Sequence, residues 1–503
     1  MSGSRALQRS RRRRAPRPGL PALALACAWV ACGLARAETG FYPYTERIRP
    51  GDWPMARRDA ENSAYTRIRT EPPAPARAWS YELDRLAWEY QPGMAVWSSA
   101  AVGQVGERAV LAAGCYDRGV YLLDAASGER LWRYTTGGGV FGAPLIWRDG
   151  GRACVFAASS DRAVYALDAE TGERIWSRAV EPYSASLGAA RLSAPCLGLV
   201  AGEPAVFVGH WVADRSLAHS RQRGGLSALR ARSGEMLWRA DFLDHRVSDP
   251  VFARLDGRGL VFAASEDGNL RALDADTGAI VWVHRETERI MGSPAVTRSP
   301  SGARVLVGSH FGKLRCLDAR TGLEAWSYKT GNWLTGAPAV LHGGKGDLIV
   351  FGGYDQKMVG LDLESGQRRW THSALGPVYS APSFVPRNAD PVVIFSAWDH
   401  QMYGLSGDDG TGLWTFYTGR PIWDGLVLGD SNWASPVAAE INGRWMIYFG
   451  SYDGTFYAIP LSQASLGEGS PPWSGLRFWI TMAGALGFVL VVSLLLTRRR
   501  RAG

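Results

Sequence analysis

The chain has 503 residues, of which 20% are charged and 60 are glycine, a composition typical of a turn-rich, all-β protein. Its formal net charge is +9, but eleven arginines lie in residues 5–17 and 498–501, and without them the charge is about −2. The central part therefore lacks the basic footprint of a nucleic-acid-binding protein, and composition excludes that class.

Residues 1–37 predict a secretory signal peptide. An arginine-rich start is followed by an apolar run from Leu20 to Leu34 and by Ala35-Arg36-Ala37, a small-x-small cleavage site. The run is too short to span a membrane comfortably. Ser10-Arg11-Arg12 leaves a twin-arginine signal as an alternative. We therefore expect the rest of the chain to be exported.

After an irregular lead-in at residues 38–78, residues 79–461 repeat one motif, clearest at 167–176 (LDAETGERIW). Its versions end in seven tryptophans; five intervals between them are 44 residues and one is 62. These are Trp132, Trp176, Trp238, Trp282, Trp326, Trp370 and Trp414. Such a period, with a glycine four residues after the aspartate, is typical of a β-propeller. We expect the aspartate to cap a turn, the glycine to accept positive φ, and the tryptophan to pack blade against blade.

Four strand families, A to D, align in each repeat. Strand A is predicted to end near a small-residue–proline step such as Ala143-Pro144, strand C ends in Leu-Asp, and strand D carries the tryptophan. Strands A, B and C occur eight times; strand D occurs seven times within the repeats and once before them, at Trp79. The sequence predicts an all-β, eight-bladed propeller with four-stranded blades, the last closed by the N-terminal strand.

Every insertion in the repeats falls in a D–A or a B–C connection, and in an up-and-down blade these connections share one face of the disc. The insertions precede Ala100, Pro195 and Pro436, and one lies at 210–224. They carry aromatic and arginine side chains, which are common in protein-binding sites: Trp88, Trp211, Arg215, Arg221, Arg420 and Trp423. The alternative is that these tryptophans pack their own loops onto the disc.

A second candidate site is the mouth of the axial channel on the same face. Three residues before each small-residue–proline position stand mostly apolar or aromatic residues: Trp97, Phe141, Leu192, Val247, Met291, Thr335, Tyr379 and Trp433. Eightfold geometry gathers them near the axis. They either line a pocket for a flat ligand or plug the channel.

Two recurring residue types are interpreted as structural. Aspartates at equivalent B–C turns are expected to cap those turns rather than to bind metal, with Phe311 in the same place in another repeat. They are Asp117, Asp161, Asp267, Asp355, Asp399 and Asp453. Four cysteines that remain after signal cleavage have no paired spacing, so we expect buried thiols although export permits disulfides. They are Cys115, Cys154, Cys196 and Cys316.

The C-terminal part predicts a membrane anchor. Residues 462–477, rich in Ser, Gly and Pro at their start, are expected to be a flexible linker. Residues 478–497 form an uncharged apolar run, long enough at about 1.5 Å per residue to cross a bilayer of about 30 Å. Four arginines in the tail 498–503 favour a cytoplasmic C-terminus.

The repeat, the lead-in Asp52-Trp53-Pro54-Met55 and the eightfold count resemble the pyrroloquinoline-quinone (PQQ)-type β-propeller repeat family over residues 52–461. The resemblance implies either a quinoprotein dehydrogenase or a non-enzymatic relative such as the outer-membrane-assembly propeller lipoprotein. A dehydrogenase of this family needs PQQ, Ca²⁺ and a carboxylate base. The sequence offers only Asp249, with Asp430 and Asn432 one blade end away, and lacks an adjacent cysteine pair and a Cys-x-x-Cys-His haem motif.

We therefore predict a single-pass membrane protein with its propeller in the periplasm, closer to the non-enzymatic branch. It binds a protein or ligand on the long-loop face and has no catalytic residue, metal or cofactor. The alternative is a membrane-bound, PQQ-dependent quinoprotein dehydrogenase. A sensor or adhesin using the same face is a third possibility.

Overall fold

The structure, a computed structural model, describes residues 41–42, 65–68, 79–82, 98–180, 187–214, 222–243, 246–286, 288–343, 346–386, 390–399, 401–417, 434–450 and 455–461. They form eight antiparallel sheets arranged as the blades of a propeller. In each blade the strands pair in the order A–B–C–D, which confirms the predicted fold class.

The strands are numbered β1 to β35 in chain order. Three short strands precede the first complete blade: β1 (Phe41–Tyr42), β2 (Tyr65–Ile68) and β3 (Trp79–Glu82). Blade 1 contains β4 (Ala101–Val105), β5 (Arg108–Gly114), β6 (Gly119–Asp124) and β7 (Arg130–Thr135). Blade 2 contains β8 (Leu145–Asp149), β9 (Arg152–Ala158), β10 (Ala163–Asp168) and β11 (Arg174–Ala179). Blade 3 contains β12 (Leu187–Leu192), β13 (Cys196–Val200), β14 (Glu203–Asp214), β15 (Gln222–Arg230) and β16 (Met236–Leu243).

The remaining blades follow the same plan. Blade 4 contains β17 (Val251–Leu255), β18 (Arg258–Ala264), β19 (Asn269–Asp274) and β20 (Ile280–Arg285). Blade 5 contains β21 (Ala295–Ser299), β22 (Gly302–Gly308), β23 (Lys313–Asp318) and β24 (Glu324–Lys329). Blade 6 contains β25 (Ala339–Leu341), β26 (Leu348–Gly352), β27 (Lys357–Asp362) and β28 (Arg368–Ser373). Blade 7 contains β29 (Ser383–Val385), β30 (Val392–Ser396), β31 (Gln401–Ser406) and β32 (Gly412–Tyr417). Blade 8 contains β33 (Val437–Ile441), β34 (Arg444–Gly450) and β35 (Thr455–Pro460), and is completed by β3.

One boundary prediction was wrong: strand A begins at the small-residue–proline step and does not end there. Leu145 of β8 directly follows Pro144, and Val251 of β17 directly follows Pro250. Proline has no backbone N–H to give to a sheet, so it suits the residue before the first paired position.

The repeated turn has the chemistry that the sequence predicted. Asp168 accepts hydrogen bonds at Oδ1 from the N–H groups of Glu170 (2.9 Å) and Thr171 (3.1 Å). Gly172 has a φ of +76°, and a Cβ at that position would lie 2.8 Å from the ring of Trp132 in the preceding blade. Trp132 in turn donates from Nε1 to the carbonyl of Ala169 at 2.9 Å. Glycine is therefore required both by the backbone and by the tryptophan that seals the two blades.

The hydrophobic core is a ring of clusters that lie between adjacent blades. One of them joins blade 8 to blade 1, with Tyr448 and Leu111 fully buried. The Tyr448 hydroxyl donates to the carbonyl of Ala125 at 2.7 Å, across 323 residues of sequence. β3 pairs with β35 through Trp79 and Ala458, which confirms the predicted closure of the last blade.

The segment predicted as a lead-in contributes two strands to the inside of the ring. β2 pairs in parallel with β33 of blade 8 and lies beside β4 and β29, the inner strands of blades 1 and 7. β1 pairs with β17 of blade 4, on the opposite side of the ring. These short strands cover the inner edges of two opposite sheets, which would otherwise present unpaired backbone groups.

Several sequence predictions fall outside the described residues: the signal peptide at 1–37, the linker at 462–477, the helix at 478–497 and the tail. Within the described residues, no helix is long and apolar enough to cross a membrane. The four cysteines that are described are buried and unpaired with one another, as expected.

Candidate functional site

The long-loop face has a repeated frame that sets its side chains. In successive repeats, the residue before the turn aspartate donates its N–H to a carbonyl of the D–A loop that enters the same blade. Glu266 donates to Arg246 (3.0 Å), Tyr354 to Trp333 (2.9 Å) and Trp398 to Pro377 (3.0 Å). Because the frame is constant, the residue types at these positions decide the chemistry of the face.

On blades 5 to 7 these positions form a continuous aromatic surface, here called the aromatic shelf. Its members are His310, Trp333, Tyr354, Tyr379 and Trp398. His310 stacks on Trp333 with 4.1 Å between ring centroids, and Tyr379 stacks on Trp398 at 4.4 Å with an interplanar angle of 5°. Tyr354 lies between the two pairs, 5.1 Å from Trp333 and 5.4 Å from Tyr379. Such aromatic pairs contribute about 0.5–1.5 kcal/mol each beyond the area they bury.

The edge of the shelf carries an exposed phenyl ring. Phe311 takes the place of the turn aspartate in blade 5, and its side chain is 60% exposed. Burial lowers the pKa of the neighbouring His310, and the charge of Arg289 lowers it further. At neutral pH His310 is therefore an uncharged ring, and the shelf presents an apolar surface with polar edges.

On blades 2 to 4 the same face carries the arginine ladder, defined as Phe141, Arg191, Trp211 and Arg246. The Arg191 guanidinium lies over the Phe141 ring, 4.6 Å from its centroid, and that of Arg246 lies 5.2 Å from the centroid of Trp211. Arg191 and Trp211 are direct partners in the β12–β14 ladder, so their side chains project from the same side of the sheet. Aromatic and cationic groups therefore alternate along this side of the mouth.

The positive charges of the two guanidinium groups in the ladder repel each other. Burial lowers the pKa of Arg191, and the charge of Arg246 lowers it further, to about 10. Burial also lowers the pKa of Arg246, which Glu266 opposes from 3.5 Å. Both arginines remain charged at neutral pH. The charge of Glu266 in blade 4 also acts on the pKa of His310 in blade 5, the next blade in the ring, and raises it.

The blade 3 insertion proves to be an extension of the sheet. β14 continues past the usual strand end and pairs with β15 as far as Ala213–Gln222. β12, inserted before strand A, pairs with this upper part of β14, whereas β13 pairs with the lower part. The extension is what holds Arg191 and Trp211 at the mouth.

A serine, a histidine and an aspartate meet within this extension, but their geometry does not suit nucleophilic catalysis. Ser227 Oγ lies 3.4 Å from His210 Nδ1, and His210 Nε2 lies 3.5 Å from Asp241 Oδ1. Ser227 is fully buried, so its hydroxyl faces no space for a substrate. The imidazole instead packs against the backbone of Gly225. A Cβ added at Gly225 would lie 2.7 Å from His210 Nε2. The three groups fasten β14, β15 and β16 together.

Four of the six recurrent turn aspartates cap their own turns, as the sequence predicted. Asp161 accepts from the Ala163 N–H at 3.0 Å and from the Tyr165 hydroxyl at 2.6 Å. Asp399 accepts from the Gln401 N–H at 3.0 Å and from the Tyr403 hydroxyl. Asp117 makes the same pattern, and Asp267 accepts from the Asn269 N–H and from the Arg271 guanidinium. Asp355 instead accepts from the N–H of Gly331 in the D–A loop at 3.3 Å, and Asp453 lies outside the described residues.

The one described carboxylate that the sequence offered for Ca²⁺ has a structural partner. In that part of the chain no three His, Cys, Asp or Glu side chains group as metal ligands would. Asp249, the carboxylate nearest strand A, accepts a hydrogen bond from the N–H of Ala194 in blade 3 at 2.8 Å and braces two blades. Asp430 and Asn432 lie outside the described residues.

Three of the ten predicted site residues are described: Phe141 and Trp211 belong to the ladder, and Tyr379 belongs to the shelf. The other seven lie outside the described residues: Trp88, Trp97, Arg215, Arg221, Arg420, Trp423 and Trp433. Sequence reasoning missed Arg191, Arg246, His310, Trp333, Tyr354 and Trp398. The signal was present, because His310, Tyr354 and Trp398 are spaced by 44 residues and precede the turn position in successive repeats.

A family model of PQQ-type repeats, described as "Outer membrane protein assembly factor BamB", matches residues 71–208, 199–340, 291–376 and 332–463. These overlapping matches span most of the chain. The protein therefore belongs to this PQQ-like propeller family, which confirms the resemblance seen in the sequence. No curated protein matches it by sequence.

Solved structures show the same fold at low identity. A quinohemoprotein alcohol dehydrogenase from Comamonas testosteroni is 15% identical, with a TM-score of 0.60 over 86% of this chain and 83% of its own. BamB from Moraxella catarrhalis is 18% identical, with a TM-score of 0.50 over 76% of this chain and 98% of its own. The computationally designed Ika8 protein is 16% identical, with a TM-score of 0.51 over 74% and 98%. An enzyme, an assembly factor and a design share this architecture, so the fold alone does not assign the activity.

Proposed function

We propose that the protein is a binding platform of the cell envelope, exported by its signal peptide and anchored by residues 478–497, whose long-loop face holds a protein partner. The observation that carries the proposal is the aromatic shelf. Large aromatic side chains gathered on one face are the usual anchors of protein interfaces, because they bury much area at little conformational cost. Membership of a family described by an assembly factor agrees with this role.

The topology supports an orientation in which this face points away from the membrane. Strand C of a blade runs from the long-loop face to the short-loop face, and β35 is the strand C of blade 8. The linker that follows Leu461 therefore leaves from the short-loop face. The long-loop face is then turned toward the periplasm, where a partner can reach it.

Site-specific photo-crosslinking in cells tests the platform. A photoreactive residue at Phe311 is expected to give one discrete crosslinked product, which weakens when Trp333 is replaced by alanine. The matched control is the same residue at Leu323, which is 70% exposed but lies in a C–D turn on the opposite face. Equal crosslinking from both positions, or none from Phe311, would reject the platform.

The proposal includes no quinone cofactor. Calorimetric titration of the purified protein with PQQ, with and without Ca²⁺, is expected to show no saturable binding. Saturable binding that depends on Ca²⁺ would replace the platform by the quinoprotein dehydrogenase alternative.

A further inference from the structure

The arginine ladder is built by elements that other blades of the described chain lack. Arg191 comes from β12, the strand inserted before blade 3, and Trp211 comes from the lengthened β14. Neither residue is needed to close a blade: the blade 3 seal is Trp238, which donates to the carbonyl of Ala275 at 2.7 Å. The extension brings Arg191 and Trp211 beside Arg246 and Phe141, which lie in ordinary D–A loops, and it therefore has a role beyond folding.

The chemistry of the ladder suits oxyanions, among which carboxylates are the ones that a protein chain carries. A guanidinium group stacked on a ring keeps its N–H donors around its edge, in a fork that matches the two oxygens of a carboxylate. Stacking also fixes the plane of each group, so less rotamer freedom is lost on binding. Two such groups close enough to repel each other are both stabilised when an anion binds beside them.

Proximity to the shelf extends the site beyond a single anion. Arg246 lies on the loop that enters blade 4 and contacts Glu266 there, and His310 of the shelf stands at the equivalent position in blade 5, so cationic and aromatic groups follow one another around this face. A small free acid would use only the ladder. An extended chain that carries carboxylates and apolar side chains would use both parts. The near-neutral charge of residues between the terminal arginine clusters argues against a nucleic acid.

We propose that the arginine ladder is the docking site for an acidic segment of the partner protein, with Arg191 and Arg246 binding its Asp or Glu carboxylates and the adjacent shelf binding its apolar side chains. This inference rests on the proposed platform and names the chemistry of its partner. It assigns charge recognition to blades 2 to 4 and apolar recognition to blades 5 to 7.

Selection from a random dodecapeptide library against the purified full chain tests the inference. Binders are expected to be enriched in Asp and Glu together with aromatic residues. The Arg191→Gln/Arg246→Gln double variant is expected to bind the selected peptides about tenfold more weakly, the loss that corresponds to about 1.4 kcal/mol. Trp333→Ala is expected to weaken acidic peptides and their Asn/Gln counterparts alike.

The matched control is the Arg232→Gln/Arg320→Gln double variant, which removes the same charge from C–D turns on the opposite face, where both arginines pair with aspartates. Equal weakening by the control, enrichment of neutral or basic peptides, or no binders at all would overturn the acidic segment. The platform is judged separately: a crosslink from Phe311 alongside any of these results would keep the platform and reject only its acidic partner.

Discussion

The arginine ladder and the aromatic shelf occupy the same face of one propeller, yet they are built differently. The shelf uses positions of the 44-residue repeat itself, since His310, Tyr354 and Trp398 are equivalent residues in successive blades. The ladder combines repeat positions, Phe141 and Arg246 in D–A loops, with inserted elements, β12 and the upper half of β14, which carry Arg191 and Trp211. The comparison teaches that substitution at repeat positions gives an apolar surface, whereas insertion adds side chains, such as Arg191 and Trp211, for which the repeat has no place.

Both regions rest on the blade seals, so removing a seal should have the largest effect. Trp238 is buried, donates to Ala275 and packs 5.7 Å from the Phe207 ring. Trp238→Ala is expected to lower the free energy of unfolding by about 3–5 kcal/mol, measured by denaturant titration. Trp333→Ala, on the half-buried shelf, should cost about 1 kcal/mol. Equal losses would show that the two tryptophans do not differ in role.

A change at Gly225 should damage the ladder and spare the shelf. A Cβ there would lie 2.4 Å from the carbonyl oxygen of Ala240 and would meet the imidazole of His210. Gly225→Ala is expected to cost about 1–3 kcal/mol and to speed amide hydrogen exchange in β12 and β14, with no change in β26 or β30.

Gly412→Ala is the matched control for this prediction. Gly412 also lies in a strand, but a Cβ there would meet only His372 Cε1, at 3.6 Å, within the reach of ordinary contact. It should leave exchange in the extension unchanged. If amide hydrogen exchange in β12 and β14 is equally fast in Gly225→Ala and Gly412→Ala, the extension does not depend on the close packing at Gly225.

Acid should loosen the ladder before the shelf. The imidazole of His210, 3.5 Å away, together with the guanidinium of Arg239, lowers the pKa of Asp241 to about 2, against roughly 3.9 in an unfolded chain. This contribution is present above about pH 4 and is lost as the pH falls toward 2. Because Asp241 is 65% exposed, solvent screening limits it to about 0.5–1 kcal/mol.

The matched variant for the acid effect is Asp241→Asn. Unfolding midpoints should separate it from the wild type at pH 5 and converge near pH 2. Arg239, which contacts the same carboxylate at 2.6 Å, is left in place. A difference that persists at pH 2 would mean that the charge of Asp241 is not what fastens β14 to β16.

Much of the fold followed from the sequence because the repeat encodes it locally. The Leu-Asp turn, its glycine and its tryptophan interact within one blade or with the next, so a fixed period was enough to predict eight blades and their closure at Trp79. The predicted boundary of strand A differs from the structure because proline precedes the first paired residue of the strand and does not mark its end. The strands β1 and β2 were missed because they pair with blades far away in sequence.

The site was harder to predict for the same reason. Phe141, Trp211 and Tyr379 were found by their position in a loop or a ring. Arg191 and Arg246 are recognised as site residues only by their stacking on Phe141 and Trp211, which are distant in sequence. No spacing in the sequence predicts these contacts. His310, Tyr354 and Trp398 do follow the 44-residue period, since each directly precedes the turn position of its repeat. The period alone, however, does not distinguish a surface residue from a structural one.

Replacing Phe311, which stands where other repeats have the turn aspartate, should have the smallest effect on stability. It is also the sharpest test of the shelf. Phe311→Asp installs the carboxylate that caps other B–C turns and removes the exposed ring. Because a capping hydrogen bond contributes about 0.5–1.5 kcal/mol, stability should stay the same or rise slightly. Peptides selected for binding should nevertheless lose affinity. The reverse exchange, Asp399→Phe, removes the bonds to Gln401 and Tyr403 and should destabilise blade 7. If Phe311→Asp leaves peptide affinity unchanged, the exposed ring takes no part in binding and the contact is confined to the stacked rings behind it.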